Sequence, residues 1–222
     1  MLPQIGPDGQ KRLSEARVLV VGAGGLGSAA AIYLAGAGVG LIGICDPDTV
    51  SVSNLQRQVL YSTAETGQSK AEAAAARLAA LNPEIRICTH PEGLTADNAD
   101  SLAEAYDLIV DCTDNYAARY LTDDACFRAG KPWIYGSIGE FGGQVAMFNG
   151  TAGTRYCDLY ADRDALCAQQ PAVRGVLGAV PGVVGAIEAS EAIKYLCGYG
   201  SALDGRLFII DLLTLKTDIL EL

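Results

Sequence analysis

Apolar residues in this chain fall into short runs separated by glycine, asparagine and proline. RVLVV (17–21) is valine-rich and unbroken, and predicts a buried strand. GAGGLG (22–27) interrupts it, and SAAAIYLAGAG (28–38) follows with the small side chains of a helix packed close to a sheet. LIGICD (41–46) is a second strand, and the alanine-rich GQSKAEAAAARLAALNP (67–83) is a helix stopped at Asn82-Pro83. EIRIC (84–88) alternates as a third strand, and TADNADSLAEA (95–105) reads as a helix with Thr95 as N-cap. DLIVDC (107–112) is a fourth strand, YAARYLTDDACFRAG (116–130) a helix closed by Gly130, and PWIYGS (132–137) a fifth strand.

Strands alternating with helices of this length are βαβ units, which imply a mostly parallel sheet covered on both faces. The rhythm changes after Gly136. GGQVAMFN, RLFIID and LKTDILEL read as strands of an antiparallel extension, and VPGVVGAIEASEAIKYLCGYG (180–200) returns as a helix. Between them, residues 150–175 have weak periodicity and read as a long crossover loop. The expected fold class is α/β: Rossmann-like, doubly wound and mostly parallel, with an antiparallel C-terminal extension. There is no internal repeat or linker, so residues 1–222 are read as one domain. Its nucleotide-binding half covers about 15–136, and a crossover and carrier-binding half about 137–222.

The chain's 222 residues have a formal net charge of −10, which argues against nucleic acid or an anionic membrane as partner. The absence of a long apolar run or a signal-like start points to a cytoplasmic protein. Cysteines 45, 88, 112, 126, 157, 167 and 197 are scattered without a C-x-x-C pair, so neither disulfides nor structural zinc is expected. Cys45, Cys88, Cys112 and Cys197 lie in apolar runs as small hydrophobes. The single histidine, His90, falls in THPEG and reads as a solvated loop residue.

Strand, GAGGLG and helix, followed by Asp46 about twenty residues on, form a dinucleotide-type phosphate turn with a ribose-binding acid. Alone this pattern predicts NAD. Hydride chemistry needs an acid/base group, however, and His90 is poorly placed to supply one. The chain instead carries polar groups at several strand ends: SNLQRQ (53–58) after the second strand, GQSK with Lys70 at a helix start, and DCTDN (111–115) after the fourth. Loops that follow strand C-termini line one crevice, so Asn54, Arg57, Lys70, Asp114 and Asn115 could face one nucleotide. Two cations plus an acid fit a magnesium-bound triphosphate.

The segments VGAGGLG, CDPDTVSVSNLQRQVLY, GQSKAEAAAARLAALNP, DLIVDCTDNYAARYLTDDAC, GQVAMFN and GVLGAVPGVVGAIEASEAIKYLCGYG resemble the ThiF/MoeB/HesA family in the right order over nearly the whole chain. These are bacterial relatives of ubiquitin-activating enzymes. The resemblance implies adenylation, with ATP and Mg2+, of the C-terminal Gly-Gly of a ubiquitin-like sulfur carrier of ThiS or MoaD type. It assigns nucleotide contacts to Gly25, Asp46, Ser53, Asn54, Leu55, Gln56, Arg57, Lys70, Asp114 and Asn115. Arg57 and Lys70 would stabilise phosphate, and Asp114 would hold magnesium. It leaves the pathway open among thiamine, molybdopterin and other sulfur routes.

Two features of the family are missing from this chain. GTRYCDLY has Thr154 where one cysteine of a zinc pair would stand, leaving Cys157 alone. The usual R-x-x-R-Q-I segment before LPxIG is not in the sequence, so its trans arginine is either replaced or lies upstream of the given residues. Cys167 only loosely matches a cysteine that some relatives use to form a covalent bond with the carrier. Arg163 or Arg174 could stabilise a thiolate there, Asp162 and Asp164 would oppose it, and Cys157 is its rival. The apolar GVLGAVPGVVGAIEA segment and the resemblance together imply a homodimer. Two other readings remain: a non-catalytic carrier-binding module and an NAD(P)-dependent oxidoreductase.

Overall fold

The computed structural model describes residues 2–169 and 175–222. Its eight strands form one sheet in the order β3-β2-β1-β4-β5-β6-β7-β8. They are β1 (Arg17–Val21), β2 (Leu41–Cys45), β3 (Arg86–His90), β4 (Leu108–Asp111), β5 (Trp133–Gly139), β6 (Gly142–Phe148), β7 (Arg206–Asp211) and β8 (Lys216–Glu221). The first five pair in parallel, and β6, β7 and β8 add antiparallel. The fold is thus a mostly parallel α/β sheet with an antiparallel C-terminal extension, as the sequence pattern predicts. Strand order reverses between β1 and β4, and a ligand crevice opens at such a switch point.

The period-two geometry of the strands sorts side chains onto two faces. Val18 and Val20 of β1, Ile42 and Ile44 of β2, and Leu108 and Val110 of β4 join one core. That core is shared with α1 (Gly6–Glu15), α2 (Gly25–Ala37), α3 (Lys70–Leu81) and α8 (Ala179–Leu196). Leu19 and Val21, with Trp133 and Tyr135 of β5, join the other. Here the cover comes from α4 (Ala99–Ala105), α5 (Tyr116–Ala129) and the short α6 (Tyr156–Leu159) and α7 (Arg163–Ala168). Helix α2 has no polar face: eight of its residues are buried, most of them alanine, glycine or serine, because α8 packs directly along it. A Cβ on Gly185 of α8 would press the Leu26 carbonyl and the Ala29 side chain, so glycine sets that helix spacing.

Several boundaries differ from the sequence reading. α1 was not anticipated. It is a polar surface helix burying only Gly9 and Leu13, with Pro at its start. β3 runs two residues later than EIRIC, so His90 is a strand residue whose Nε2 pairs with the Tyr106 hydroxyl at 2.8 Å. The same strand leaves Cys88 exposed, because β3 is the sheet edge. α4 starts at Ala99, not Thr95. The Asn98 side chain instead accepts from the Thr95 backbone N–H and closes a turn ahead of the helix. The long crossover loop contains α6 and α7, held by Arg155 ion pairs to Asp123 and Asp124 and by Arg163 on Asp124.

Candidate active site

A cavity of about 800 Å³ opens at the switch point, where the C-terminal ends of β1, β2 and β4 meet. Its first wall is the glycine turn. Gly22 adopts φ +90°, a left-handed backbone that favours glycine. A Cβ on Gly27 would overlap the Gly22 carbonyl oxygen, so α2 can start this close to β1 only with glycine there. Gly25 begins α2, so the orphan N–H groups of the helix start face the crevice and favour an anion.

Asp46, 5% exposed, directly follows β2 and braces this turn. Its Oδ2 accepts from the Ala23 N–H at 2.7 Å and its Oδ1 from the Asp48 N–H at 2.8 Å. Bonds of this charged kind contribute about 1.5–3 kcal/mol each. Tyr61 adds a second brace by donating to the Ala23 carbonyl at 2.8 Å, and burial holds its phenol well above the usual range and therefore protonated.

SNLQRQ folds as a short 3-10 turn over Val52–Asn54 followed by tight turns. It swings Asn54, Arg57 and Gln58 to the cavity. Arg57 Nη2 donates to Asn54 Oδ1 at 3.2 Å and has no carboxylate partner among the described residues, which leaves its charge for a ligand. Lys70, the first residue of α3, is 4% exposed and pairs with Asp48 at 2.8 Å. Ser69 caps α3, and backbone bonds from Val50 to Gln68 and from Lys70 to Asp48 fasten this loop to the helix start.

The opposite wall comes from DCTDN. Asp111 is fully buried and fixes the loop by accepting from the Thr113 N–H and hydroxyl at 2.9 and 2.6 Å. Asn115 caps α5, accepting from the Ala118 N–H at 2.9 Å, and Asp114 beside it is exposed at the cavity edge. Arg119, buried one turn into α5, donates to the Thr113 carbonyl at 2.8 Å and stiffens the same loop.

Gly25, Asp46, Asn54, Arg57, Lys70, Asp114, Asn115 and Cys167 therefore all border one cavity. Ser53, Leu55 and Gln56 do not: Ser53 is exposed, Leu55 packs on the core, and Gln56 lies against Gly178. Cys167 is exposed on α7. Arg163 pairs with Asp124 and lies over the Tyr120 ring while staying close enough to Cys167 to interact with it electrostatically, and Arg174 lies outside the described residues. Sequence reasoning missed Gln58 and Arg119, both of which line the cavity; the last letter of SNLQRQ was the signal for the first. His90 does not line it, and no group of three or more potential metal ligands occurs among the described residues. No helix of the described residues is long and apolar enough to cross a membrane.

The ThiF family pattern matches residues 1–222. The chain is 47% identical over 225 residues to the "Probable adenylyltransferase/sulfurtransferase MoeZ" of Mycobacterium tuberculosis, covering 97% of this chain and 56% of that protein. It thus spans little more than half the length of that relative. It is 47% identical over 219 residues to the "Sulfur carrier protein adenylyltransferase" of Thermus thermophilus, covering 96% and 81%. Among solved structures, E. coli MccB with ATP superposes with a TM-score of 0.82 at 24% identity, over 96% of this chain and 66% of that one, which supports the fold.

Proposed function

The chain belongs to the ThiF family, and from that premise we propose that it adenylates the C-terminal glycine of a ubiquitin-like sulfur carrier. ATP is the nucleotide and pyrophosphate the leaving group. The observation that carries this reading is the convergence of Arg57, Lys70 and Asp114 on one cavity beside the glycine turn, although they come from separate loops. The relatives named for adenylyl transfer and for a sulfur carrier supply the substrate class.

A carboxylate oxygen of the carrier attacks the α-phosphorus of ATP. The bond from that phosphorus to the bridging oxygen breaks, and pyrophosphate leaves with the electron pair. The carboxylate is already ionised, so the protein supplies no base; its task is to hold two anions together. The glycine turn and α2 start receive phosphate oxygens, Asp46 accepts from ribose hydroxyls, and Arg57 and Lys70 offset the charge of the transferring group. Asn54 orients Arg57 and can hold an oxygen without adding charge. Asn115 is the remaining nucleotide contact, and Ser53, Leu55 and Gln56 serve only by forming the turn that carries Asn54 and Arg57 to the cavity.

Magnesium fits as a metal held mainly by phosphates, because one exposed carboxylate, Asp114, borders the cavity without an ion pair among the described residues. When bound it would neutralise phosphate charge. The reading includes one adenylation domain across 1–222 without structural zinc, a homodimer, and a cytoplasmic setting. It covers a carrier ending in Gly-Gly for a thiamine, molybdopterin or other sulfur route.

The test is ATP–pyrophosphate exchange with ThiS-like and MoaD-like carriers. Exchange should require the carrier's terminal Gly-Gly; tight NADH binding without exchange would favour an oxidoreductase, and carrier binding without exchange a docking module. Cys167 extends the reading: its sulfur would attack the adenylated carbonyl, the carbon–oxygen bond to AMP would break, and a thioester would form. Carrier, ATP and protein run on a non-reducing gel should give a thiol-sensitive conjugate that Cys167→Ser abolishes. Its absence from the wild type confines the enzyme to adenylation.

A further inference from the structure

Among the described residues, three cationic side chains border the cavity: Arg57, Lys70 and Arg119. Arg57 and Lys70 come from the β2–α3 connection and the start of α3, and Arg57 lies against the glycine turn, 3.5 Å from where a Cβ on Gly25 would sit. Arg119 comes from α5 on the opposite wall. Its guanidinium is fixed in place. The residue is 6% exposed, Nη2 donates to the Thr113 carbonyl at 2.8 Å, and Cζ lies 5.8 Å from the centre of the Tyr116 ring and 5.3 Å from that of Tyr135. It has no ion pair among the described residues. Asp111 favours its charge from beyond ion-pair contact and accepts only from Thr113. Nε is buried without a partner, and Nη1 makes no hydrogen bond among the described residues. A buried cation is costly to leave unpaired, and its donors are nearly always bonded. A fixed guanidinium with open donors at a cavity wall is therefore suited to an anion.

We propose that Arg119 is a further substrate-binding residue, donating from Nη1 to the C-terminal carboxylate of the carrier as it enters the cavity. This rests on the adenylation reading above and deepens it. The geometry of the step selects the anion. The attacking oxygen must reach the α-phosphorus from the side opposite the leaving pyrophosphate. Arg57, at the glycine turn, serves the nucleotide and is badly placed to receive a group that comes against it. Arg119 stands across the cavity, on the wall that also carries Tyr116, Ser137 and Ile138. Ser137 and Ile138 belong to β5 and pair with Gln144 and Gly143 of β6, so this wall continues into the antiparallel strands. One carboxylate oxygen held by Arg119 leaves the other free to attack, and the positive charge offsets the repulsion between carboxylate and triphosphate. No proton moves: the carboxylate enters ionised and the guanidinium stays protonated.

Calorimetric titration of ThiS-like and MoaD-like carriers ending in Gly-Gly tests the assignment. Each is used with its terminal carboxylate and again as the terminal carboxamide, against wild type, Arg119→Lys and Arg119→Met. Wild type should bind the carboxylate form about tenfold more tightly than the carboxamide. Arg119→Met should bind the two forms equally, at the affinity wild type has for the carboxamide. Arg119→Lys keeps the charge without the fork and should retain only part of the preference, which decides the matter if the methionine variant does not fold. Wild type without a preference, or a preference undiminished in the variants, would overturn the proposal. Equal loss of both forms would mark a role in supporting the DCTDN loop and overturn it too. Wild type that binds neither form of carrier would instead overturn the adenylation reading itself.

Discussion

The two halves of the sheet solve different problems. From β3 to β5 the strands are parallel; β3 is a half-exposed edge, and in the strands inside it helices cover both faces and residues are buried on either side. The cost of that burial is paid at one end, where glycines, Asp46, Arg57, Lys70 and Asp114 gather around an open crevice. From β6 to β8 the sheet runs antiparallel and loses its cover step by step, until all six residues of β8 are exposed. Ile219 and Leu220 are 57% and 49% exposed, and Leu213 and Leu215 in the preceding turn stand out further. Such an apolar edge is a template for another chain unless something covers it. Under the proposed adenylation reading, reaction would belong to the parallel half and carrier recognition to the antiparallel half.

The largest expected effect lies in the crevice. Arg57→Ala and Asp114→Ala should each cut pyrophosphate exchange about a hundredfold or more, as removal of a phosphate-stabilising group does. Melting temperature should stay within a few degrees, since neither side chain supports the core. Near-normal exchange in either variant removes that residue from the reaction. A smaller effect should come from the other half. Ile219→Asp should raise the KM for the carrier about tenfold, the loss typical of one interface anchor, with ATP affinity unchanged. An unchanged carrier KM would mean that this edge serves another contact, and the division of labour would fail.

The third expectation concerns a residue between the halves. Glu188 of α8 is fully buried, with both carboxyl oxygens near the Cys112 sulfur at 3.6 and 3.8 Å and with Gly136 making room for it. Burial, then the nearby charge of Asp111, pushes its pKa well above the carboxylate range, and Arg119 only partly opposes this. The folded protein therefore holds a proton that the unfolded chain releases above the ordinary glutamate pKa. Glu188 supports stability fully below that value and loses support as pH rises toward its folded pKa. Glu188→Gln keeps the shape and removes the titration. Its melting temperature should exceed that of wild type by a few degrees at neutral pH, with the gap closing toward pH 4–5. A gap independent of pH would contradict a buried proton on this residue.

Much of the parallel half was legible in the sequence because its signals are local. Unbroken valine runs, the GAGGLG turn, Asn82-Pro83 and Gly130 each state their structure within a few residues. α1 and α7 were not legible, since they are short, polar and held by distant partners: α1 by Leu13 in the core, α7 by Arg163 on Asp124. His90 was misread because its neighbours look like a loop, while its pairing with β2 and Tyr106 is a tertiary fact. In the site, residue types indicated charge and anion binding. Which cation pairs with Asp48, and that the Gln58 Oε1 has no partner among the described residues, depend on how the β2–α3 connection folds back on itself. Glu188 was visible only as an acid inside an apolar helix, a signal whose meaning needs the buried face of α8.

The most direct test is the mass of the carrier. A ThiS-like or MoaD-like protein ending in Gly-Gly, incubated with this protein, ATP and magnesium, should gain the mass of one AMP at its C-terminus. The gain should vanish when the last glycine is removed or Arg57 is replaced by alanine. A carrier that binds the protein tightly yet keeps its original mass, under conditions where ATP is bound, would contradict adenylation.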